Sequence, residues 1–348
     1  MILIWKTYTR AAFLSAALVL GDFFFLQFRS KRMIFGRKTA AACFLAAALA
    51  AFAFLAFDYA ADFKYLSRIM EKNDREPLEA VTTEADGIHI RYDGRNYLIW
   101  LKDDAVFCRE EGKGATKAFA GEEMRLPMEP DARAVFMGGE EQDLAVYLAD
   151  TTLHFVKRNN RYFYRTQGGK RVEMTNVEAV DFYGLEYLGS ARGYIWSRTL
   201  PLLKKSLLAG TGPDTFAEVF PQNDYAGKIV YSDRPDMVIE KAHNDYLTKW
   251  VQTGMGSVVC IVIFYFILFQ KGKEAYKRKE ALNDFQSRVG YGCYLACLLY
   301  MTANFFNDST LQTSPVFWIF SGIAFQNIEE KQKKERNCLR LLYARHQK

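Results

Sequence analysis

Long apolar stretches lie at the two ends of the chain, and a polar, patterned region separates them. Four of these stretches have eighteen residues or more, the length an α-helix needs to cross a hydrocarbon core of about 30 Å. A fifth stretch near the C-terminus is shorter. The pattern predicts transmembrane helices over residues 11–28, 39–57, 250–270, 289–306 and 314–325.

The middle of the chain shows the alternation that is typical of β-strands. Residues 88–92 and 96–101 alternate apolar and polar positions around Asp93-Gly94, a strong hairpin signal. Further strands are predicted over residues 105–108, 134–137, 144–148, 152–157, 162–165 and 171–174. The sequence therefore predicts an α-helical polytopic membrane protein of about five transmembrane helices, with an inserted, small antiparallel β-domain.

Basic residues orient the predicted spans. The linker 29–38 carries five positive charges and no acid, and the segments 271–288 and 331–348 are also net basic, so all three are expected in the cytoplasm. Residues 58–249 then face outward, and the protein is expected to be a multi-pass protein of the cytoplasmic membrane with a cytoplasmic C-terminus. The N-terminus is placed outside, which is unusual for a basic segment.

This topology divides the chain into five parts. They are two transmembrane helices with a basic cytoplasmic linker (1–57), an extracytoplasmic region with the β-domain (58–180), an extracytoplasmic loop (181–249), three transmembrane helices (250–328) and a basic cytoplasmic tail (329–348).

Composition narrows the class of function. The net charge of +6 is explained by the basic linkers and tail, so it does not indicate a nucleic-acid partner. Of the six cysteines only Cys108 is expected outside, which leaves it no exported partner for a disulfide. Cys293 and Cys297 share a helix face, but their apolar setting favours packing over metal binding.

Candidate chemistry centres on Ala242-His243-Asn244-Asp245, just before an apolar stretch. An imidazole at a membrane surface suits proton transfer on a lipid-linked substrate, although a lone histidine is more often an ordinary polar surface residue. His89 and His154 lie on predicted strands and are interpreted as surface residues. The chain contains no P-loop, H-E-x-x-H or G-x-S-x-G motif.

Several motifs in order resemble the C-terminal signature of the O-antigen ligase and polymerase family. They are Arg192-Gly193-x-x-Trp196, Gly210-x-Gly212-Pro213-x-x-Phe216, and His243-Asn244 followed by Gly254. Tyr8-Thr9-Arg10-Ala11 resembles the family's stretch at the outer end of a membrane helix, with Ala11 in place of a hydroxyl residue. The resemblance covers nearly the whole chain except the β-domain, residues 75–180.

The resemblance implies a GT-C-like membrane glycosyltransferase that passes a glycan from a polyprenyl diphosphate carrier to a hydroxyl of a glycan or lipid acceptor. It implies that His243 is the general base, with Asn244 or Asp245 orienting its ring. Arg10, Arg192 and Arg198 would bind the diphosphate, because a guanidinium stays charged and binds phosphate in bidentate fashion. Gly210, Gly212 and Gly254 would support the loop, and neither a metal nor another cofactor is expected.

The same family has about a dozen spans, so the resemblance also implies that roughly seven N-terminal helices are missing or are supplied by a separate chain. Two alternatives stay open. One is a polysaccharide polymerase of the same family, which differs from a ligase in its acceptor. The other is a truncated, non-catalytic membrane protein whose β-domain binds a glycan or a protein partner.

Overall fold

The computed structural model describes residues 78–346 except 139–141, 149, 150, 183, 233 and 277–283. The first two predicted spans and Arg10 lie outside the described residues. The described chain forms two units. The β unit comprises residues 78–205 and 213–240, and the helical unit comprises residues 206–212 and 241–346.

The β unit contains two antiparallel sheets in which each strand pairs with its neighbour along the chain. The first sheet has the order β1-β2-β3-β4-β5, and the second has the order β11-β10-β9-β8-β7-β6. The strands are β1 Leu78–Thr83, β2 Ile88–Tyr92, β3 Arg95–Lys102, β4 Ala105–Glu110, β5 Ala115–Phe119, β6 Glu123–Arg125, β7 Arg133–Gly138, β8 Gln142–Leu148, β9 Thr151–Arg158, β10 Arg161–Arg165 and β11 Arg171–Val172.

Tight turns fix the register of these sheets. Asp93 and Gly94 have φ values of 48° and 72°, and Asn159 and Asn160 have 50° and 59°. Two successive positive φ values match the twist of the flanking strands, which is why Asp-Gly and Asn-rich pairs connect them. The predicted hairpin at Asp93-Gly94 is therefore confirmed, with Tyr92 paired to Arg95.

The inner faces of both sheets share one hydrophobic core. Ile88, Ile99, Phe136 and Phe155 are each at most 1% exposed and belong to the same cluster. Each buried side chain of this size stabilises the fold by roughly 1.5–3 kcal/mol. The second sheet ends in short strands: β6 has three residues and β11 has two.

Three helices complete the β unit: α1 Leu188–Lys205, α2 Phe216–Val219 and α3 Tyr225–Ser232. Ala226 and Ile229 of α3 close the core. A side chain at Gly193 would place its Cβ 2.0 Å from the Leu185 carbonyl oxygen, so only glycine allows the preceding loop to lie against α1.

The helical unit contains α4 Asp245–Thr253, α5 Met255–Ala275, α6 Phe285–Ala303 and α7 Ser314–His346. The last three helices bury a core that includes Leu268, Cys297 and Ala324, each 0% exposed. Close packing requires a glycine here too. A Cβ at Gly272 would lie 2.2 Å from the ring of Tyr294.

The predicted fold class, an α-helical polytopic membrane protein, is wrong. The described residues form two antiparallel sheets with eleven strands and seven helices, and only one of those helices, Met255–Ala275, is long and apolar enough to cross a membrane. The β-domain is therefore a principal unit of the described chain and not a small insertion.

The predicted third span, 250–270, agrees with α5 apart from its bounds: α5 is long and apolar enough to cross a membrane, but it begins only at Met255, because Gly254, with a φ of 87°, ends α4. The predicted fourth and fifth spans fail for separate reasons. The predicted span 289–306 corresponds to α6, which has Ser287 and Arg288 in its first turn and falls short of a membrane helix in apolar content. The apolar part of α7 has only twelve residues, which rise about 18 Å.

Candidate functional site

His243 and Asp308 form a hydrogen-bonded pair in the helical unit. The Nδ1 atom of His243 lies 2.9 Å from Oδ2 of Asp308. The histidine side chain is 51% exposed, whereas that of Asp308 is 11% exposed. A buried carboxylate thus holds one nitrogen of an accessible imidazole, which leaves Nε2 on the exposed side of the ring.

The second oxygen of Asp308 is also held. Thr248 donates its hydroxyl to Oδ1 of Asp308 at 3.2 Å, and the same hydroxyl accepts the backbone N–H of Ala242 at 3.2 Å. Thr248 is 6% exposed. Because both carboxylate oxygens have partners, Asp308 has a fixed orientation towards the imidazole.

The backbone around His243 follows from the start of α4. Asn244 is the N-cap, and its Oδ1 accepts the N–H groups of Tyr246 and Leu247, both at 3.0 Å. Such a cap satisfies two N–H groups that have no partner within the helix. His243, one residue earlier, has a φ of 51°, a left-handed conformation that histidine adopts more readily than most residues.

Asp245 has a structural role in this arrangement. Its backbone N–H donates to the carbonyls of Asn304 and Asn307 at 2.9 and 3.0 Å, and its side chain pairs with Lys249 and accepts from Ser309. These contacts tie α4 to the loop after α6. The resemblance implied that Asn244 or Asp245 orients the imidazole, but the structure gives that position to Asp308.

Tyr246 is adjacent to this cluster and donates its hydroxyl to the Met301 carbonyl at 2.9 Å. Burial, and then the negative charge of Asp245, raise the pKa of Tyr246 to about 12. The phenol therefore stays protonated near neutral pH. Its contacts make it a connection between α4 and α6 and not a base.

The three predicted glycines meet at the other end of α4. A Cβ at Gly210 would lie 2.1 Å from the carbonyl group of Gln252, and Gly254 approaches the Leu208 carbonyl oxygen. The N–H of Gly212 donates to the Gln252 carbonyl at 2.9 Å. The Gly-x-Gly turn therefore docks the segment 206–212 against the junction of α4 and α5.

Arg192 and Arg198 lie on α1, in the β unit. Arg198 donates from Nε to Asp224 and from Nη1 to Ser197, both at 2.8 Å, and its guanidinium lies over the ring of Tyr194 at 4.7 Å. The Asp224 carboxylate neutralises much of its charge. Arg10 lies outside the described residues.

Among the described residues, the turn between β1 and β2 and the start of β2 carry one group with metal-ligand atoms. Glu84, Asp86 and His89 place one ligand atom each within 4.8 Å of one another. The His89 Nε2 to Asp86 Oδ1 distance is 3.0 Å, and this hydrogen bond is the main cause of the lowered pKa of Asp86. The acids are exposed, and the contacts are those of an ordinary surface hydrogen bond.

Sequence reasoning missed Asp308 and Thr248. The available signal was the polar run Asn307-Asp308-Ser309 between two apolar stretches. Thr248 lies one turn after the helix start, so its position on the face towards His243 follows from the helical period.

Comparison with known proteins gives no relative: no family model, no curated protein and no solved structure matches the chain. The resemblance to O-antigen ligases therefore depends on the order of the sequence motifs alone.

Proposed function

We propose that this protein is a glycosyltransferase that passes a glycan from a polyprenyl diphosphate carrier to an acceptor hydroxyl, with His243 as general base. The observation that carries the proposal is the 2.9 Å contact between Nδ1 of His243 and Oδ2 of Asp308. Motif order supports the choice of substrate, and the apolar helix α5, which follows α4 directly, supports a reaction at a membrane surface.

The proposed step balances as a single displacement. The acceptor oxygen attacks the anomeric carbon and the carbon–oxygen bond to the diphosphate breaks, while the hydroxyl proton moves to Nε2 of His243. Because Nδ1–H donates to Asp308, Nε2 is the nitrogen with a free lone pair. The Asp308 carboxylate also stabilises the imidazolium that forms. Attack opposite the leaving group inverts the anomeric centre.

The leaving diphosphate requires cationic partners, and the proposal assigns Arg10 and Arg192 to it on the resemblance. Arg198 is a weaker candidate, because Asp224 accepts from its Nε at 2.8 Å. Both a ligase and a polymerase fit this scheme, since they differ in the acceptor and not in the displacement.

The test is transfer of a glycan from a polyprenyl diphosphate donor by the full chain in lipid nanodiscs. His243→Gln should lower kcat by about 10²- to 10⁴-fold, the usual contribution of a general base. Asp308→Asn should lower kcat with little change in KM, because Asp308 positions the base without contacting the substrate. His154→Gln, an exposed histidine on β9, is the matched control.

Two results would argue against this proposal. Undiminished kcat in His243→Gln would remove His243 from the reaction. Absence of transfer by the unchanged chain would favour the non-catalytic alternative, in which the β unit binds a partner.

A further inference from the structure

The end of α5, the start of α6 and the middle of α7 meet at one end of the helical unit. The rings of Tyr276, the residue after α5, and Tyr291 lie 4.9 Å apart, and the Tyr276 hydroxyl donates to Oδ1 of Asn327 at 3.0 Å. Asn327 also donates from Nδ2 to the Gln286 carbonyl at 3.0 Å. Side chains from all three helices are therefore close together here.

This end carries a concentration of positive charge. Residues 271–288 and 329–348 contain thirteen basic and six acidic side chains, so their excess of positive charge is larger than the net +6 of the whole chain. The described bases of these helix ends, called the basic cluster below, are Lys271, Lys273, Arg288, Lys331, Lys333, Lys334 and Arg336. A ligand bound here is therefore expected to be anionic.

Neighbouring acids leave part of this charge unpaired. Lys271, Lys333 and Arg336 line a groove of about 440 Å³, and none of the three forms an ion pair with a described residue. Glu329 and Glu330 line the same groove. Three cations thus face two carboxylates, which leaves the groove an excess of positive charge.

Two carboxylates at this end have other partners. Asp284 caps α6, because its Oδ1 accepts the N–H of Ser287 at 2.8 Å and its Oδ2 accepts the Ser287 hydroxyl at 2.6 Å. Oε1 of Glu330 accepts the side-chain amide of Gln326 at 3.3 Å. These hydrogen bonds hold the two acids on their own helices and leave the cations available to a ligand from outside.

α5 connects the basic cluster to an apolar surface. The helix has 21 residues, its most apolar stretch has a mean hydropathy of 1.8, and only 11% of that stretch is buried. In its last turn, Nζ of Lys273 lies 5.9 Å from the centre of the Phe269 ring. The stem of Lys273 therefore follows the apolar surface while its charge stays at the helix end, as lysines at membrane boundaries do.

A lipid matches both parts of this surface. An acidic protein or a nucleic acid would satisfy the cations but would leave the apolar face of α5 uncovered. A lipid covers that face with its acyl chains and brings its phosphate to the helix end. Clusters of Lys and Arg next to an apolar membrane helix bind anionic headgroups in this way.

We infer that the basic cluster binds the phosphate groups of anionic lipids, whose acyl chains lie against the apolar face of α5. The inference goes beyond the proposed function because it concerns the choice of lipid and not the transfer of a glycan. It uses no residue of the His243 chemistry.

The experiment titrates the full chain, in micelles of a neutral detergent, with phosphatidylglycerol or phosphatidylcholine and counts bound lipids by native mass spectrometry. We expect the association constant for phosphatidylglycerol to exceed that for phosphatidylcholine at least about tenfold. The triple variant Lys271→Gln, Lys333→Gln, Arg336→Gln should lower the phosphatidylglycerol constant at least about tenfold, because each base near an anionic surface contributes about fivefold. Its phosphatidylcholine constant should not change.

Two further triple variants separate charge from packing. Lys271→Arg, Lys333→Arg, Arg336→Lys keeps the charge and should keep the phosphatidylglycerol constant within about twofold. Lys102→Gln, Arg125→Gln, Arg158→Gln removes the same charge from exposed positions on β3, β6 and β9, and should bind as the unchanged chain does. His243→Gln should also bind both lipids normally, so loss of transfer and loss of lipid selection are separately visible.

Three results would overturn the inference. The first is an equal association of phosphatidylglycerol and phosphatidylcholine with the unchanged chain. The second is an unchanged phosphatidylglycerol constant in the triple glutamine variant. The third is binding of a short single-stranded DNA or of polyglutamate, measured in the same micelles, without preference for phosphatidylglycerol over phosphatidylcholine.

Discussion

The two units use large apolar residues in opposite ways. In the β unit they point into one core shared by both sheets, where Phe136 and Phe155 are at most 1% exposed. In the helical unit many of them face outward: Phe266 is 59% exposed, Trp318 55% and Ile319 60%. An apolar surface of this kind is typical of a protein–protein or membrane contact. The β unit thus buries its large apolar side chains within itself, whereas many of those in the helical unit lie on its surface.

The units also differ in where their polar groups are buried. In the helical unit, Asn244, Asp245 and Thr248 are buried at the start of α4, where Thr248 donates to Asp308. The β unit buries its main ion pair, Arg198 with Asp224, beside the ring of Tyr194. The first arrangement leaves an accessible imidazole, whereas the second pairs the charge of Arg198 with that of Asp224.

The contrast in apolar packing gives the largest expected effect. Phe155→Ala should lower the free energy of unfolding of the β unit by about 3–5 kcal/mol, because it opens a cavity in the core. Phe266→Ala, which removes the same side chain from an exposed helix face, should change stability by less than about 0.5 kcal/mol. Hydrogen exchange with mass spectrometry measures the stability of the two units separately in the full chain. Similar losses of stability in Phe155→Ala and Phe266→Ala would contradict the difference in packing between the units.

Close backbone packing within the helical unit gives the next effect. Gly210→Ala places a Cβ 2.1 Å from the Gln252 carbonyl group, so the segment 206–212 must move. We expect the free energy of unfolding to fall by about 2 kcal/mol or more. Hydrogen exchange should become faster in α4 and α5 only. Gly256→Ala, which meets no atom within 4 Å in the described structure, should be neutral or stabilising by up to about 1 kcal/mol. Equal changes of stability in Gly210→Ala and Gly256→Ala would show that the close approach of Gly210 to Gln252 does not stabilise the helical unit.

Alkaline pH should weaken the β unit through Cys108. Burial raises the pKa of its thiol from 9.0 to about 12. Below pH 9 the thiol is protonated in both states. Between pH 9 and about 12 the unfolded chain loses the proton and the folded chain keeps it, so stability falls by roughly 1 kcal/mol per pH unit. Urea unfolding of Cys108→Ala should show a shallower decline over this window. If stability declined equally steeply with pH in Cys108→Ala and in the unchanged chain, the Cys108 thiol would not be the cause of the decline.

The smallest effect concerns the helix that carries the candidate site. Asn244→Ala removes the cap of α4 and should lower stability by about 1 kcal/mol, because two N–H groups lose their acceptor. Asn244→Asp keeps an acceptor and should restore most of that stability. Faster hydrogen exchange in the first turn of α4 is the readout. Identical exchange in Ala and Asp variants would show that the cap contributes nothing.

The sequence predicted the β-strands well where local signals and burial agree. The strands around Asp93-Gly94, and those beginning at Ala105 and ending at Leu148, are confirmed, because alternation and turn residues are both local properties. β1, β5 and β6 were missed. β5 buries only Ala118 among its five residues, so it shows little alternation to detect. The strand predicted over 171–174 is shorter, since β11 ends at Val172.

Long-range contacts explain what the sequence did not reveal of the site. His243, Asn244 and the glycines are close in sequence and were found. Asp308 lies 65 positions from His243, and no local pattern states that the loop after α6 returns to α4. The fourth predicted span failed because α6 also includes Ser287 and Arg288, and because it packs Cys297 and Tyr294 into a core formed by helices distant in sequence.

The outermost strands of the β unit bear on self-association. A long, flat edge strand invites pairing with another chain, and short or charged edges prevent it. Here the edges of the second sheet are the three-residue β6, Glu123–Arg125, and the two-residue β11, Arg171–Val172, each with charged side chains. β5, an edge of the first sheet, carries Lys117 on its outer face. These described edges offer little to strand addition, so the β unit should resist aggregation by this route at high concentration.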